Sequence, residues 1–331
     1  MRLSIVIPVW NDAEGLARLL GQLQAMAGLV PQLAEVIVVD DASDPPARDT
    51  VPAELLQPWA GVALNWLRLE EQGGAGRARN EGAAAVTGSH VLFFDSDDLL
   101  APGFPVLLAG LEGAAFDFAM FRHADSRRMS EGVEAPLEPD ASIWEAVVPR
   151  LERTGEWGVA DLPARQRLCR VVAYPWNKIY EMGFLRRAGL RCTEIPVHND
   201  LELHWSGFIA ADRVLVSPRI GCTHVVLPAA RHLTNRRDAG RLRVFEALAA
   251  VAARMRATPG GSAYAEGFAE FCLRLIDWAG GRLESPAARA LFEARAAGFL
   301  QGALGPQLLG LALMRNPALA EPLRRRLRRA G

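Results

Sequence analysis

The chain has 331 residues, half of them hydrophobic, with 37 Lys or Arg against 38 Asp or Glu and a formal net charge of −1. So much apolar material at balanced charge supports a large core, which excludes a disordered chain, and leaves no whole-chain case for nucleic-acid binding. The length suits one large domain, or one domain with an extension.

In chain order, LSIVIPV (3–9) reads as a buried strand, and Asp12 then caps a helix with Leu16, Leu19, Leu20 and Leu23 on one face. EVIVVDDAS (35–43) is a second buried strand ending in acids, and VALNWLRL (62–69) alternates like a third. Residues 75–86 are helical, and HVLFF (90–94) is another buried strand that runs straight into Asp95-Ser96-Asp97-Asp98. FDFAMFR (116–122) is a further strand. Residues 123–170, polar around one predicted helix (141–153), read as a variable insertion, and 171–227 returns to mixed strand and helix. From Asp238 the pattern is helical, broken at 259–261 and at Pro286, Pro306 and Pro317. Apolar strands alternating with helices predict an α/β fold with a mostly parallel sheet covered on both faces. Ligands of such sheets collect beyond the carboxyl ends of the strands, where the clusters 10–12, 40–43 and 95–98 fall.

The N-terminal apolar run is interrupted at Asn11 and Asp12, too soon for a secretory signal, and no stretch of about 20 apolar residues suggests a membrane span. Cys169, Cys192, Cys222 and Cys272 form no CxxC pair, so buried free thiols in a reducing cytoplasm are expected, without a zinc site.

Three carboxylates in Asp95–Asp98 repel one another unless a cation or hydrogen-bond donors neutralise them. Hard divalent ions such as Mg2+ or Mn2+ take oxygen ligands of this kind. The plain alternative is a solvated turn in which Asp97 or Asp98 caps the helix after Pro102.

SIVIPVWNDAEGLARLL, EVIVVDDAS, GGAGRARNEGAAAVTG and VLFFDSDD, in this order and spacing, resemble the family 2 glycosyltransferases with the GT-A fold. WNKIYEMGFLRRAGL and IPVHNDLELHW also look like the acceptor-side half of bacterial members. The resemblance covers residues 1–235, with a nucleotide-sugar half (1–122) and an acceptor half (123–235), and leaves 236–331 as an all-helical extension. It implies inverting transfer of a sugar from a nucleotide-sugar, UDP favoured by analogy, to an acceptor hydroxyl on a saccharide or glycolipid. By the same resemblance, Pro8, Trp10 and Asp12 line the nucleotide, with Trp10 an aromatic able to stack on the base. One of Asp40 and Asp41 accepts a hydrogen bond from the base, and Arg79 lies near the nucleotide. Asp95 faces the ribose, and Asp97 and Asp98 hold Mn2+ or Mg2+, which offsets charge on the departing diphosphate. A cytoplasmic role in cell-surface polysaccharide or glycolipid synthesis follows from family habit.

Inversion by direct displacement needs a base. The family supplies it from a Glu-Asp pair opening a helix; here the segment is Pro196-Val197-His198-Asn199-Asp200. Asp200 fits the base, with His198 close enough to share the role, and Asn199 stands where the first acid is expected. Capping of the following helix is the alternative use of Asn199 or Asp200. Lys178, the only lysine, lies in Trp176-Asn177-Lys178. It is a compact cation suited to a diphosphate or acceptor contact, or a survivor on a solvated helix face. Trp176 either meets a sugar face or fills core. His224 and His232 follow the last expected strand, where some enzymes of the GT-A fold place a metal or phosphate contact, and read first as neutral structural histidines. Gly73, Gly74 and Gly76 lack the spacing of a dinucleotide loop.

Residues 315–331 hold six arginines and one glutamate, a net +5, beside an apolar stripe of Leu319, Leu323 and Leu327. Such a helix suits an anionic membrane surface, or packs on the domain or on a partner subunit, as in a homodimer. Two other functions compete with the transferase: a nucleotidyltransferase, which would need a Gly-rich phosphate loop with a lysine after the first strand, and a non-catalytic nucleotide-sugar-binding or assembly protein.

Overall fold

The structure, a computed structural model, describes residues 1–226 and 237–328. His232, weighed above, lies outside the described residues, as does Arg329 of the basic tail.

Strands β1 (Leu3–Val9), β2 (Leu33–Asp40), β3 (Ala63–Arg68) and β4 (His90–Phe93) form the N-terminal part of a ten-stranded sheet. With β5 (Leu99–Leu100), β6 (Phe118–Asp125), β7 (Glu152–Thr154), β8 (Trp157–Val159), β9 (Lys178–Glu181) and β10 (Val214–His224), the order is β3-β2-β1-β4-β9-β6-β10-β8-β7, and β5 pairs with β10. β1, β2, β3 and β4 run parallel, β6 and β10 run parallel, and β9 lies antiparallel between β4 and β6.

β1 and β2 are buried along nearly their whole length because both faces are covered, which is why they read as unbroken apolar runs. On one face Ile5, Ile7, Val36 and Val38 meet Leu16, Leu19, Leu20 and Leu23 of the helix Ala13–Met26. On the other, Val6, Ile37 and Val39 meet the helix Ala75–Ala85. Asp12 caps the first helix as expected, accepting a hydrogen bond from the Gly15 amide at 3.0 Å.

β1 and β4 stay paired only from Leu3 to Val6, where the Phe94 amide still donates to the Val6 carbonyl. Beyond that they part. Backbone groups alternate sides along a strand, so Pro8 turns its donorless nitrogen toward the opened gap, where no ladder bond is lost. Since β2 and β3 lie on one side of β1 and β4 on the other, this gap is the switch point at which such sheets bind ligands.

Three expectations are corrected. The strand expected over 116–122 ends at Asp125, which brings that acid to the sheet edge. Residues 123–170 are no mere insertion, because the β7–β8 hairpin extends the sheet beyond β10. Lys178 is on no solvated helix; it opens β9, a central strand, and its side chain is fully buried.

The C-terminal helices bury the helix Leu201–Ala210 against the sheet: Phe208 meets Phe118 edge-on at 5.0 Å, and Trp205 meets Phe268 at 5.0 Å. Residues Pro286–Arg315 form a helical run that by length and composition could cross a membrane, which the sequence reading passed over. Its Phe292, Leu300, Leu304 and Leu308 are buried in the core of this chain. Leu319, just before the tail helix Ala320–Arg328, and Leu323 and Leu327 on it likewise turn onto the same core. Arg326 pins the helix there, bonding Glu293 at 2.5 and 2.6 Å and pairing with Asp277. The stripe that could have met a membrane is therefore used within the chain, and Arg324, Arg325 and Arg328 project outward.

The seat of the helix Ala75–Ala85 depends on Gly82, where an added Cβ would stand 2.3 Å from Val6 Cγ1 and 3.0 Å from Val39 Cγ2. Gly82→Ala is expected to lower stability by about 1–3 kcal/mol in urea unfolding. Gly21→Ala, in a helix with open space at that point, should instead stabilise by about 0.5–1 kcal/mol.

Candidate active site

The gap between β1 and β4 is lined by acids. Asp12 accepts from Ser96 Oγ at 2.6 Å, which ties the first helix to the loop after β4. Arg18 donates to the Asp97 carbonyl at 2.7 Å, and Gln22 exchanges hydrogen bonds with both backbone groups of Leu100. Neither Asp97 nor Asp98 caps the following helix, Phe104–Ala109, which has no side-chain cap. Asp98 instead accepts from the Val225 amide at 2.8 Å, just beyond the end of β10.

One oxygen from each of Asp95, Asp97 and Asp98 lies within 4.8 Å of the others. Burial, then the charges of Asp95 and Asp12, push the Asp97 carboxyl up to about 6. Burial, then Asp97 and Asp95, push Asp98 well above the usual carboxylate range. Burial and mutual repulsion thus act together on these carboxylates, and both would be relieved by a bound cation. An all-oxygen set of this density suits a hard divalent cation, with Asp97 and Asp98 the natural holders, because Asp95 is engaged by Arg79.

Arg79, on the helix Ala75–Ala85, is almost fully buried. It donates to Asp95 Oδ1 at 2.5 Å and to Asn199 Oδ1 at 2.6 Å. Burial opposes its charge, yet Asp95 beside it holds the guanidinium protonated and raises its pKa.

Asp40 and Asp41 are each 3% exposed and heavily used by the backbone. Asp40 accepts from the Ser43 amide at 2.8 Å and the Ala47 amide at 3.0 Å, and pairs with Arg68. Asp41 accepts from the Gly73 and Gly74 amides at 2.7 and 2.8 Å, which settles the role of that glycine turn: it is clasped by an acid. Trp10, by contrast, is 41% exposed at the mouth of the cleft, so its ring is free to stack. The non-glycine residues with left-handed backbone among those described are Asn11, Ala42 and His198, all in loops that border this cleft. Such conformations concentrate at functional sites, where neighbouring contacts hold them.

Across the cleft, Asp200 precedes the helix Leu201–Ala210 but makes no capping bond, so the capping alternative does not describe it. Burial raises its carboxyl to about 6, partly offset by the nearby charge of Arg79. His198 does not resemble a second base: burial and Arg241 lower it to about 4, and its ring lies edge-on to Trp278. Lys178 is not the mobile cation expected at a diphosphate. Its ammonium is held below the cleft surface by Tyr174 O and Asn177 Oδ1, both at 2.6 Å, and burial lowers its pKa to about 7 against the pull of Asp200 and Asp140. Trp176 is buried and stacks on Tyr174 at 4.3 Å, so it fills core.

The sequence reading missed a constellation at the ends of β6 and β10. Asp125 accepts from Arg127 at 2.7 and 2.8 Å and lies 3.1 Å from His224 Nδ1, while the Tyr174 hydroxyl is 3.4 Å from the same nitrogen. Asp125 is held below the usual range because the bonds from Arg127 and His224 outweigh its burial. His224 was in view, first as a structural residue and otherwise as a metal or phosphate contact; the sign that it pairs with Asp125, a strand ending at that acid, was masked by the misplaced strand boundary.

Residues 4–158 match the family model described as glycosyl transferase family 2. Among curated relatives, the uncharacterized glycosyltransferase YwdF of Bacillus subtilis is 31% identical over 130 residues, 39% of this chain and 44% of that protein. The succinoglycan biosynthesis protein ExoO of Rhizobium meliloti is 31% identical over 99 residues, 30% of this chain and 26% of its own length. The matches thus span less than half of these relatives. Among solved structures, S. aureus TarS 1–349 in complex with UDP-GlcNAc aligns over 100% of this chain and 89% of its own, with TM-score 0.77 at 18% identity. The mannosyltransferase PcManGT from Pyrobaculum calidifontis, in complex with GDP-Man and Mn2+, aligns over 99% and 84%, with TM-score 0.55 at 18% identity. At such identities the likeness is one of fold. The matched residues 4–158 lie on the strands and loops that build the cleft, and the fold is similar to that of GT-A glycosyltransferases.

Proposed function

We propose that this protein is a divalent-metal-dependent, inverting glycosyltransferase that moves a sugar from a nucleotide-sugar, with UDP favoured, to a hydroxyl of a saccharide or glycolipid acceptor. Synthesis of a cell-surface polysaccharide, in the cytoplasm where nucleotide-sugars are made, is the role this reading favours. The observation that carries it is the opposition of two acidic stations across one crevice: Asp95, Asp97 and Asp98 at the end of β4, and Asp200 at the head of a buried helix. Arg79 joins them, bonded to Asp95 and to the residue before Asp200. The UDP-GlcNAc in a TarS structure is in keeping with a UDP-sugar donor.

In this reading Trp10 stacks on the base at the cleft mouth, while Pro8 and Asp12 shape the wall beside it. Asp40 and Asp41 act mainly by holding the turns 43–47 and 73–74 against the nucleotide. Asp97 and Asp98 would hold the metal, which when bound offsets the negative charge that develops on the leaving diphosphate. Asp200 takes the proton from the acceptor hydroxyl as that oxygen attacks the anomeric carbon from the face opposite the leaving group. A carboxyl near 6 suits proton abstraction, being ionised at pH 7 yet more basic than an exposed aspartate. Asn199 preserves the hydrogen bond to Arg79 without a second negative charge beside Asp200, a charge that would raise the Asp200 pKa further. Lys178, beneath the cleft, acts through its field on Asp200 rather than by touching the donor.

Three outcomes test this reading. Asp200→Asn should abolish transfer, or donor hydrolysis, while UDP with Mn2+ still raises the Tm; undiminished turnover would reject Asp200 as the base. At saturating Mn2+, kcat/KM should fall roughly tenfold per pH unit below about 6, as the Asp200 carboxyl takes up its proton. A profile that stays flat to pH 5 would contradict that role. Finally, EDTA should remove activity and Mn2+ restore it, and Asp97→Asn or Asp98→Asn should lose the extra Tm increment that Mn2+ adds to UDP binding; an unchanged increment in both variants would place the metal elsewhere.

A further inference from the structure

The loop that carries Asp200 is gripped from two sides. On one, Asn199 is bonded to Arg79. On the other, the His198 ring stands edge-on to the indole of Trp278, with centroids 5.6 Å apart and planes at 74°. Trp278 belongs to the helix Ala265–Gly281, in the C-terminal region beyond the family motifs. Its indole is itself held: the Arg241 guanidinium lies 4.7 Å and the Arg282 guanidinium 5.0 Å from the ring centroid, both in cation–π range.

His198 needs such a hold. Its φ is +63°, a left-handed conformation in which an L side chain crowds its own backbone. His198 itself gains little from polar contacts: Nε2 is buried with no hydrogen-bond partner among the described residues, and the Leu201 amide reaches the His198 carbonyl only at 3.4 Å, the firmer backbone bond, from the Thr193 amide at 2.9 Å, going to Asn199. Two residues further on, Asp200 has no cap bond to orient it, so its aim depends on the direction in which the chain leaves this turn.

We propose that Trp278, seated by Arg241 and Arg282, is a positioning residue for the reaction: by packing on His198 it holds the left-handed turn that aims the Asp200 carboxylate into the cleft. The helical region is then part of the catalytic apparatus. The proposal rests on Asp200 being the base.

The full-length chain is assayed at saturating Mn2+ by hydrolysis of whichever of UDP-glucose, UDP-galactose, UDP-GlcNAc and GDP-mannose turns over fastest. Trp278→Ala should lower kcat by at least about tenfold, because displacing a catalytic group by a fraction of an ångström is costly, with donor KM within about twofold of the parent. Trp278→Phe, which keeps an aromatic face toward His198, should restore kcat to within about threefold. Glycine adopts positive φ without crowding, so in a His198→Gly background the same Trp278→Ala change should cost less than about threefold. If Trp278→Ala does not fold, Trp278→Leu is read in its place.

A kcat within twofold of the parent in the alanine or leucine variant overturns the proposal. So does an equal penalty in the His198→Gly background, since Trp278 would then act on stability or on some other part of the site. Asp200→Asn separates the two levels. If it remains active, the base assignment fails and this proposal with it; if it is inactive while Trp278→Ala is unimpaired, only the positioning role fails.

Discussion

Arg79 lies almost fully buried between a strand end and a loop 120 residues beyond it in the chain, and a cation in that place needs a countercharge and hydrogen-bond acceptors close by. Asp95 supplies the charge, and Asn199 supplies a neutral acceptor. Removing either would leave a buried donor short of a partner, which is among the more damaging changes a core can suffer. The pairing therefore does more than stabilise. It holds the end of β4 and the head of the helix Leu201–Ala210 at one separation, and the width of the crevice follows from that.

The electrostatics of the cleft are organised around the same cation. Asp97, Asp98 and Asp200 are all raised by burial, and Arg79 opposes that rise directly at Asp200. Lys178 adds a second positive centre below the floor, itself weakened by burial. Two buried cations among this many carboxylates leave an excess of negative charge on the β4 side, where a divalent ion would be welcome, and a single poised carboxylate on the other. Replacing the acid expected at position 199 by Asn is consistent with this balance, because another charge there would compete with Asp95 for Arg79.

The C-terminal helices are not an appendage. Trp205 on the helix behind Asp200 packs against Phe268, and Arg326 locks the tail helix to Glu293. The apolar stripe of the tail, and Phe292, Leu300, Leu304 and Leu308 of the long apolar run, take part in this packing. The loop that carries Asp200 is thus supported from behind by aromatic core and from the side by Trp278.

Much of the nucleotide half was legible from local pattern alone. The boundaries of β1, the cap at Asp12 and the four leucines of the first helix depend on periodicity and on one side-chain bond to the next turn, all within a few residues. The acids at the strand ends were legible for a similar reason, since a carboxylate run after an apolar strand has few uses. Partnership was not. That Asp41 clasps Gly73 and Gly74, that Arg79 reaches Asn199, that Lys178 is buried in a central strand and that Trp278 packs on His198 are decisions of packing between distant segments. The chain by itself determined which residues could do chemistry and on which edge of the sheet they would gather. Only the tertiary structure decided which of them face the cleft and which hold it open, because burial and pairing are properties of the assembled surfaces and carry no short-range signal.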